Sequence, residues 1–217
     1  MLARIFVRCC LPLIAFSYLH AQDALVPDNS ASTTPSLPAA SFSEKWNFFV
    51  AETFTPLTLV ASGIDATASQ LTRSAPLYGK HFWKRDAFGK RVLATAADAA
   101  SQNFFADFVL ASAFHEDTRY VRKGPSHKVW PRIGYALSRA LVARTDSGDP
   151  TFSYANVLGC AMSAGLSNAY YPNHSRTAAV GAVNWGTNVA GSGLTNLMPE
   201  FGPDVGHWAK VHLHLFR

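Results

Sequence analysis

The last third of the chain contains two long runs without Asp, Glu, Lys or Arg, residues 150–175 and 177–199. Each run places small residues four positions apart. They are Ala155, Gly159, Ser163 and Ser167 in the first run, and Ala178, Ala182, Gly186 and Ala190 in the second. Glycine costs a helix interior about 1 kcal/mol relative to alanine, so glycine at helical spacing needs a packing reason. Close approach of helix backbones supplies one, and the pattern therefore predicts a helical hairpin that turns at residues 170–173.

The same two runs are long enough to cross a bilayer, which leaves two interpretations open. Polar side chains lower the mean hydropathy of both runs and favour a buried hairpin over a membrane hairpin. These side chains are Asn156, Ser163, Ser167, Asn168, Asn184, Asn188 and Asn196. In either form, residues 153–198 are predicted to mediate self-association or contact with a membrane or envelope partner.

Apolar periodicity predicts three further helical segments before the hairpin. The first runs from about Ser43 to Leu71 and is interrupted at Pro56, and the second runs from Asp86 to His115. The third begins at Pro131. The last residues, 209–217, alternate apolar residues with histidines and suggest a short strand or an irregular end. Together these patterns predict an all-α fold, a helical bundle of about five helices with a small-residue-rich C-terminal hairpin, within a single domain at residues 44–217.

Two aspartates lie within the predicted second helix, Asp98 and Asp107. Charged side chains are almost never buried without a partner. We therefore expect both aspartates to face solvent.

Residues 1–21 have the parts of a secretory signal peptide: Arg4 and Arg8, an apolar core, and a cleavage site before Gln22. Residues 22–43 are rich in Pro, Ser and Thr, and predict a disordered linker. Removing the signal peptide leaves 17 basic and 14 acidic residues, too small an excess to indicate a nucleic-acid partner. We expect an exported protein of the periplasm or outer envelope, with membrane association left open.

One cysteine, Cys160, remains after the predicted cleavage, so no intramolecular disulfide can form. Its apolar neighbours indicate a buried structural residue. His207, His212 and His214 lack carboxylates at metal-binding spacing, and no glycine-rich phosphate loop follows a strand. The sequence therefore predicts neither a metal nor a cofactor.

Charge is concentrated between residues 114 and 154, where the candidate site residues lie. They are His115, Asp117, Arg119, Arg139, Arg144 and Asp146. These residue types could perform acid–base catalysis and hold an anion, although neighbouring helical positions point about 100° apart. The stretch is therefore interpreted in two further ways: as a charged helix end, or as a buried polar network that fixes how the helices assemble.

The region from residue 114 to 204 resembles a group of exported acidobacterial proteins that have no assigned activity. The residues that carry this resemblance are His115, Asp117, Arg119, Tyr120, Lys123, Gly124, Gly134, Tyr135, Ser138, Arg139, Arg144, Thr145, Asp146, Ser147, Gly148, Gly165, Ser167, Asn168, Tyr170, Tyr171 and Pro172. The resemblance implies export and no particular mechanism. We therefore predict a structural or interaction role in the cell envelope rather than an enzyme. The alternative is a hydrolase of an anionic or phosphorylated envelope substrate that uses His115, Asp117, Arg119, Arg139 and Arg144.

Overall fold

The structure, a computed structural model, describes residues 39–72, 74–78 and 85–213. The predicted signal peptide and most of the predicted linker lie outside these residues. Within them the chain is predominantly α-helical and includes one small three-stranded sheet. The predicted all-α class and helical bundle are confirmed.

The described residues fall into two compact units. The small unit comprises Arg119–Arg139 and residues 192–213, and the large unit comprises the other described residues. That residues 44–217 form a single domain stays a prediction.

The first two helices of the large unit begin at well-formed caps. Helix α1 (Phe42–Thr53) starts with a capping box, in which Ser41 Oγ accepts from Glu44 N at 3.3 Å and the Glu44 carboxylate accepts from Ser41 N at 2.7 Å. Helix α2 (Pro56–Leu71) has Pro56 as its first residue and Thr55 as its N-cap. The predicted interruption at Pro56 is confirmed, and the first cap lies two residues before the predicted Ser43.

Helix α3 (Arg85–Asn103) continues into a π-helical segment (Phe104–Leu110) and a last α-turn (Ala111–Ala113). A π-helical segment of this length is rare, and it changes the direction in which later side chains point. The expectation that the two aspartates face solvent is wrong. Asp98 accepts hydrogen bonds from two tyrosines, and burial raises the pKa of Asp107, in the π segment, well above its usual value.

Three short antiparallel strands follow, in the order β1 (Glu116–Asp117), β2 (Val142–Thr145) and β3 (Pro150–Phe152). The turn between β2 and β3 contains Gly148 at φ +96°, a conformation that favours glycine. The residues around it, Asp146, Ser147 and Asp149, are of types that favour turns. The strands on either side of the turn were not predicted.

Helices α5 (Tyr154–Leu166) and α6 (Ala178–Thr195) are joined by 3₁₀ turns at Ser167–Ala169 and Asn173–Ser175. The first small-residue stripe, on α5 and the first turn, is buried, and α5 packs mainly on the π segment and α3. A Cβ on Gly159 would meet the backbone of Ala106. The second stripe, on α6, is exposed. The small residues of α5 thus allow close backbone approach as predicted, but the expected contact between the two stripes is wrong.

The small unit contains helix α4 (Val129–Ser138) and helix α7 (Leu197–Leu213), which pack on each other. Pro131 is the third residue of α4 rather than its first. Residues 209–213 continue α7, so the strand or irregular end expected there is wrong. Alternation over so few residues does not separate strand from helix.

The buried apolar side chains of the described residues are mostly alanines, together with Phe49, Val121, Cys160 and Tyr171. Cys160 is fully buried, as predicted. Many large apolar side chains are exposed instead. No described helix combines the length and the apolar character needed to span a bilayer.

Candidate functional site

The six predicted site residues are divided between the two units. His115, Asp117, Arg144 and Asp146 belong to the large unit, and Arg119 and Arg139 belong to the small unit. Within the large unit, Asp117 lies opposite Arg144 in the β1–β2 register, and the backbone N–H of Asp146 donates to the His115 carbonyl at 2.7 Å. The sheet therefore gathers four of the six residues.

Asp146 is held by a lysine that sequence reasoning did not single out. Lys45 Nζ, on α1, lies 3.0 Å from both Asp146 carboxylate oxygens and 3.0 Å from the carbonyl oxygen of Ala111. The Lys45 side chain is buried, whereas the His115 imidazole is 83% exposed, with Nδ1 3.7 Å from Asp146. The carboxylate thus serves an ion pair that ties α1 to the segment after Thr145, and the same lysine also binds the last α-turn, Ala111–Ala113.

Glu116, which lies between the candidate residues His115 and Asp117, caps α5. Its side chain is buried, and Oε1 accepts hydrogen bonds from the N–H groups of Tyr154 at 2.9 Å and Ala155 at 3.3 Å. These are orphan donors of the first helical turn, where a negative charge is favoured. Burial raises the pKa of Glu116, and the two backbone hydrogen bonds oppose that rise.

The small unit is organised around Glu200, which is fully buried. Oε1 accepts from Arg132 Nε at 2.6 Å and from Gly124 N at 3.2 Å. Oε2 accepts from the Tyr120 hydroxyl and from Lys123 N, each at 2.9 Å. Four donors occupy the carboxylate, so Glu200 has little remaining capacity to accept from a substrate.

Asp204 extends this network by one turn of α7. Arg132 Nη2 donates to Asp204 Oδ2 and to the Glu200 carbonyl, each at 2.6 Å, and Arg122 Nη2 donates to Asp204 Oδ1 at 2.8 Å. Both arginines are buried. The small unit therefore contains a paired polar network whose carboxylates, Glu200 and Asp204, were not among the predicted residues.

In the large unit, Asp98 joins α3 to the connection between α5 and α6. Its two carboxylate oxygens accept from the hydroxyls of Tyr170 at 2.5 Å and Tyr171 at 2.6 Å. Ser163 Oγ donates to the Asp98 carbonyl at 2.9 Å. Burial raises the pKa of Asp98 to about 6, although the two phenolic hydrogen bonds act to lower it.

Two titratable carboxyl groups, those of Glu52 and Asp107, lie where α1 packs on the π segment. Asn103 Nδ2 donates to Thr53 Oγ1 at 3.2 Å beside this pair. Burial raises the pKa of Glu52 to about 7. Burial also raises the pKa of Asp107, and the neighbouring charge of Glu52 raises it further. Both carboxyl groups therefore favour their protonated forms more strongly than isolated carboxyl groups in water do.

The sequence carried only weak signals for these groups. Glu200 and Asp204 are the only acidic residues in the sequence after Asp149, and they lie four positions apart on one helical face. Lys45 and Asp146 are separated by 101 residues, so no local pattern links them. Among the described residues, no three His, Cys, Asp or Glu side chains are placed to hold a metal ion.

Comparison of the chain with profiles of protein families, with curated proteins and with solved structures finds no match.

Proposed function

We propose that the protein is exported to the cell envelope and acts there as a non-enzymatic interaction protein. Its contacts are made by the outer faces of α5 and α6, within residues 153–198. Self-association is the simplest form of this contact, and a second envelope protein is the other.

The observation that carries the proposal is that α5 is apolar on both of its sides. Its inner side packs on the π segment through small residues. Its outer side presents Tyr154, Leu158, Met162 and Leu166, spaced four residues apart and each between 42% and 49% exposed. A helix that is apolar all round is normally covered on every side, and a contiguous apolar patch on a surface marks an interaction site.

Helix α6 supports the same proposal. Val183 is 64% exposed, and the neighbouring Ala182, Gly186 and Ala190 are exposed as well. No Asp, Glu, Lys or Arg occurs between residues 177 and 199. Small exposed residues allow close approach of another helix backbone, and the absence of charge keeps the cost of desolvation low.

Export is proposed from residues 1–21, which have the charge and hydropathy pattern of a signal peptide. The resemblance to exported acidobacterial proteins agrees with it. N-terminal sequencing of the chain from an envelope fraction tests this part. A mature chain beginning at Gln22 is expected, and a chain that keeps Met1 and stays in the cytoplasmic fraction would refute it.

Site-specific photo-crosslinking tests the interaction surface. A photoreactive phenylalanine is placed at Met162 or Val183, and at Ser147, an exposed turn position, as the matched control. An adduct of one defined mass, either twice the chain or the chain plus one envelope protein, is expected from the first two positions only. Equal adducts from Ser147, or none from any position, would overturn the proposal.

The hydrolase alternative has less support. The five residues named for it are divided between the two units: His115, Asp117 and Arg144 belong to the large unit, and Arg119 and Arg139 belong to the small unit. Hydrolysis of an anionic substrate therefore stays a prediction from sequence.

A further inference from the structure

Charge is distributed unevenly between the two units. In the small unit, residues 119–139 and 192–213 include seven basic residues and two acidic residues, Glu200 and Asp204. The sequence of the large unit, residues 38–118 and 140–191, includes nine basic and ten acidic residues and is nearly neutral. The slight positive charge of the whole chain therefore comes mainly from the small unit, which is strongly basic. Charge asymmetry of this kind indicates a surface for an anionic partner.

The two acidic residues of the small unit do not offset this charge at its surface. Glu200 is buried against Arg132, and Asp204 is bound by Arg132 and Arg122. Lys128 is exposed, as is the neighbouring His127. The outward-facing charge of residues 123–128 is consequently positive.

An exposed tryptophan follows this basic segment directly. Trp130 is 80% exposed and Val129 is 55% exposed, at the start of α4. Tryptophan is enriched at the headgroup level of bilayers, and lysine side chains extend from an apolar surface toward lipid phosphates. Lys123, His127, Lys128, Val129 and Trp130 together are called the basic–aromatic patch.

The internal network holds this patch in one conformation. Glu200 binds the N–H groups of Lys123 and Gly124, and Gly124 adopts a left-handed φ of +75°. The His127 N–H donates to the Gly124 carbonyl at 3.4 Å, and Lys123 Nζ lies 4.9 Å from the centre of the Tyr135 ring. A binding loop that is already ordered loses less conformational entropy when it binds.

We propose that the small unit binds the surface of an anionic phospholipid bilayer through the basic–aromatic patch, with Trp130 and Val129 entering the headgroup region. Positive charge alone would suit any polyanion. The exposed apolar pair beside it distinguishes a bilayer from a phosphate backbone, which offers no apolar layer for Val129. The proposal goes beyond the interaction role of α5 and α6, and it concerns different residues.

Vesicle co-sedimentation of the full chain tests the proposal. Binding to vesicles of phosphatidylcholine with about one-third phosphatidylglycerol is compared with binding to phosphatidylcholine alone. Each variant is also compared with the parent chain on the same vesicles, so that the contribution of the N-terminal segment, which contains Arg4 and Arg8, is common to both. Lys128→Glu is expected to lower partitioning onto the anionic vesicles about fivefold or more. Trp130→Ala is expected to lower it on the order of tenfold.

Matched controls lie in the large unit. Lys90→Glu makes the same charge change at an exposed position, and Leu93→Ala truncates a side chain that is 71% exposed. Both are expected to bind as the parent chain does. Quenching of tryptophan emission by brominated lipid should be largely lost in Trp130→Phe and kept in Trp185→Phe.

Three results would overturn the proposal: equal binding to both kinds of vesicle, unchanged binding of both patch variants, or controls as impaired as the patch variants. Binding to heparin or duplex DNA that depends on Lys128 and not on Trp130, without vesicle binding, would also overturn it and would identify a general polyanion site. Failure of crosslinking from α5 or α6 would leave the vesicle result unaffected, so the two proposals fail separately.

Discussion

A Cβ atom built on Gly159 would lie 2.7 Å from the Cα of Ala106, so α5 and the π segment touch backbone to backbone. Real Cβ atoms do not approach another atom this closely, and neither backbone can move aside as a flexible side chain could. The contact explains why α5 tolerates a glycine in its interior, where glycine would otherwise weaken the helix. It also places the π segment directly against α5.

Gly159→Ala is expected to destabilise the protein by about 1–3 kcal/mol, because the added methyl group overpacks this contact. Gly165→Ala is the matched control on the same helix, since a Cβ there meets no atom within 4 Å. The control should be neutral or more stable by up to about 1 kcal/mol, from improved helix propensity. Chemical denaturation measures both changes. Equal effects of the two substitutions would contradict the proposed contact.

Arg132→Met should cost about 3–5 kcal/mol, because it leaves the buried Glu200 carboxylate without its charged partner. Lys128→Met removes an exposed positive charge from the same unit and should change the free energy of unfolding by no more than about 0.5 kcal/mol.

Glu200→Met should also be destabilising, since it leaves the Tyr120 hydroxyl and the N–H groups of Lys123 and Gly124 without their acceptor. In Arg132→Met/Glu200→Met the loss should be smaller than the sum of the two single losses, because neither charge is then buried alone. Chemical denaturation of the parent chain and the variants measures this, and strictly additive losses would argue against the pairing.

Much of the fold could be predicted from local patterns, because helical periodicity and turn residues act over a few positions. Pro56 separates α1 from α2 as expected, and the turn around Gly148 lies where Asp, Ser and Gly cluster. The π segment could not be predicted in this way. Its hydrogen bonding departs from the usual period only once α5 packs against it, and no residue in it is diagnostic.

The site was less predictable than the fold, because its contacts join distant segments. Lys45 meets Asp146 across 101 residues, and Asp98 meets Tyr170 across 72. The two arginines whose side chains pair with Glu200 and Asp204, Arg122 and Arg132, were not among the predicted residues. Their burial depends on α7, whose C-terminal part was expected to be a strand or irregular.

Asp98→Asn is expected to flatten the dependence of stability on pH between about 4 and 6. The pKa of Asp98 is raised from 3.8 to about 6 in the folded chain, so the folded state holds a proton that the unfolded state has lost. The contribution of Asp98 to the free energy of unfolding is therefore fully present below about pH 4. It decreases by about 1–3 kcal/mol as the pH rises to about 6. Urea denaturation at both ends of this range measures the fall. Asp149→Asn, at an exposed turn position, should leave it unchanged, and an equal fall in Asp98→Asn would contradict the assignment.

Glu52→Gln should make the protein more stable than the parent chain at pH 7 to 8, and this difference should be smaller near pH 5. Burial raises the pKa of Glu52 from 4.5 to about 7, so the parent chain loses stability as pH rises through this range, and the neutral amide has no proton to lose. The amide also removes the repulsion that Glu52 imposes on Asp107. Thermal unfolding at pH 5 and pH 8 should show a smaller decrease in Tm for the variant than for the parent chain.

The control is Glu44→Gln, on the first turn of the same helix. Its Tm should decrease between pH 5 and pH 8 as much as that of the parent chain, although the loss of a capping carboxylate lowers Tm at both pH values. If Glu52→Gln and Glu44→Gln show the same decrease in Tm, the carboxyl pair of Glu52 and Asp107 is not the source of the pH dependence.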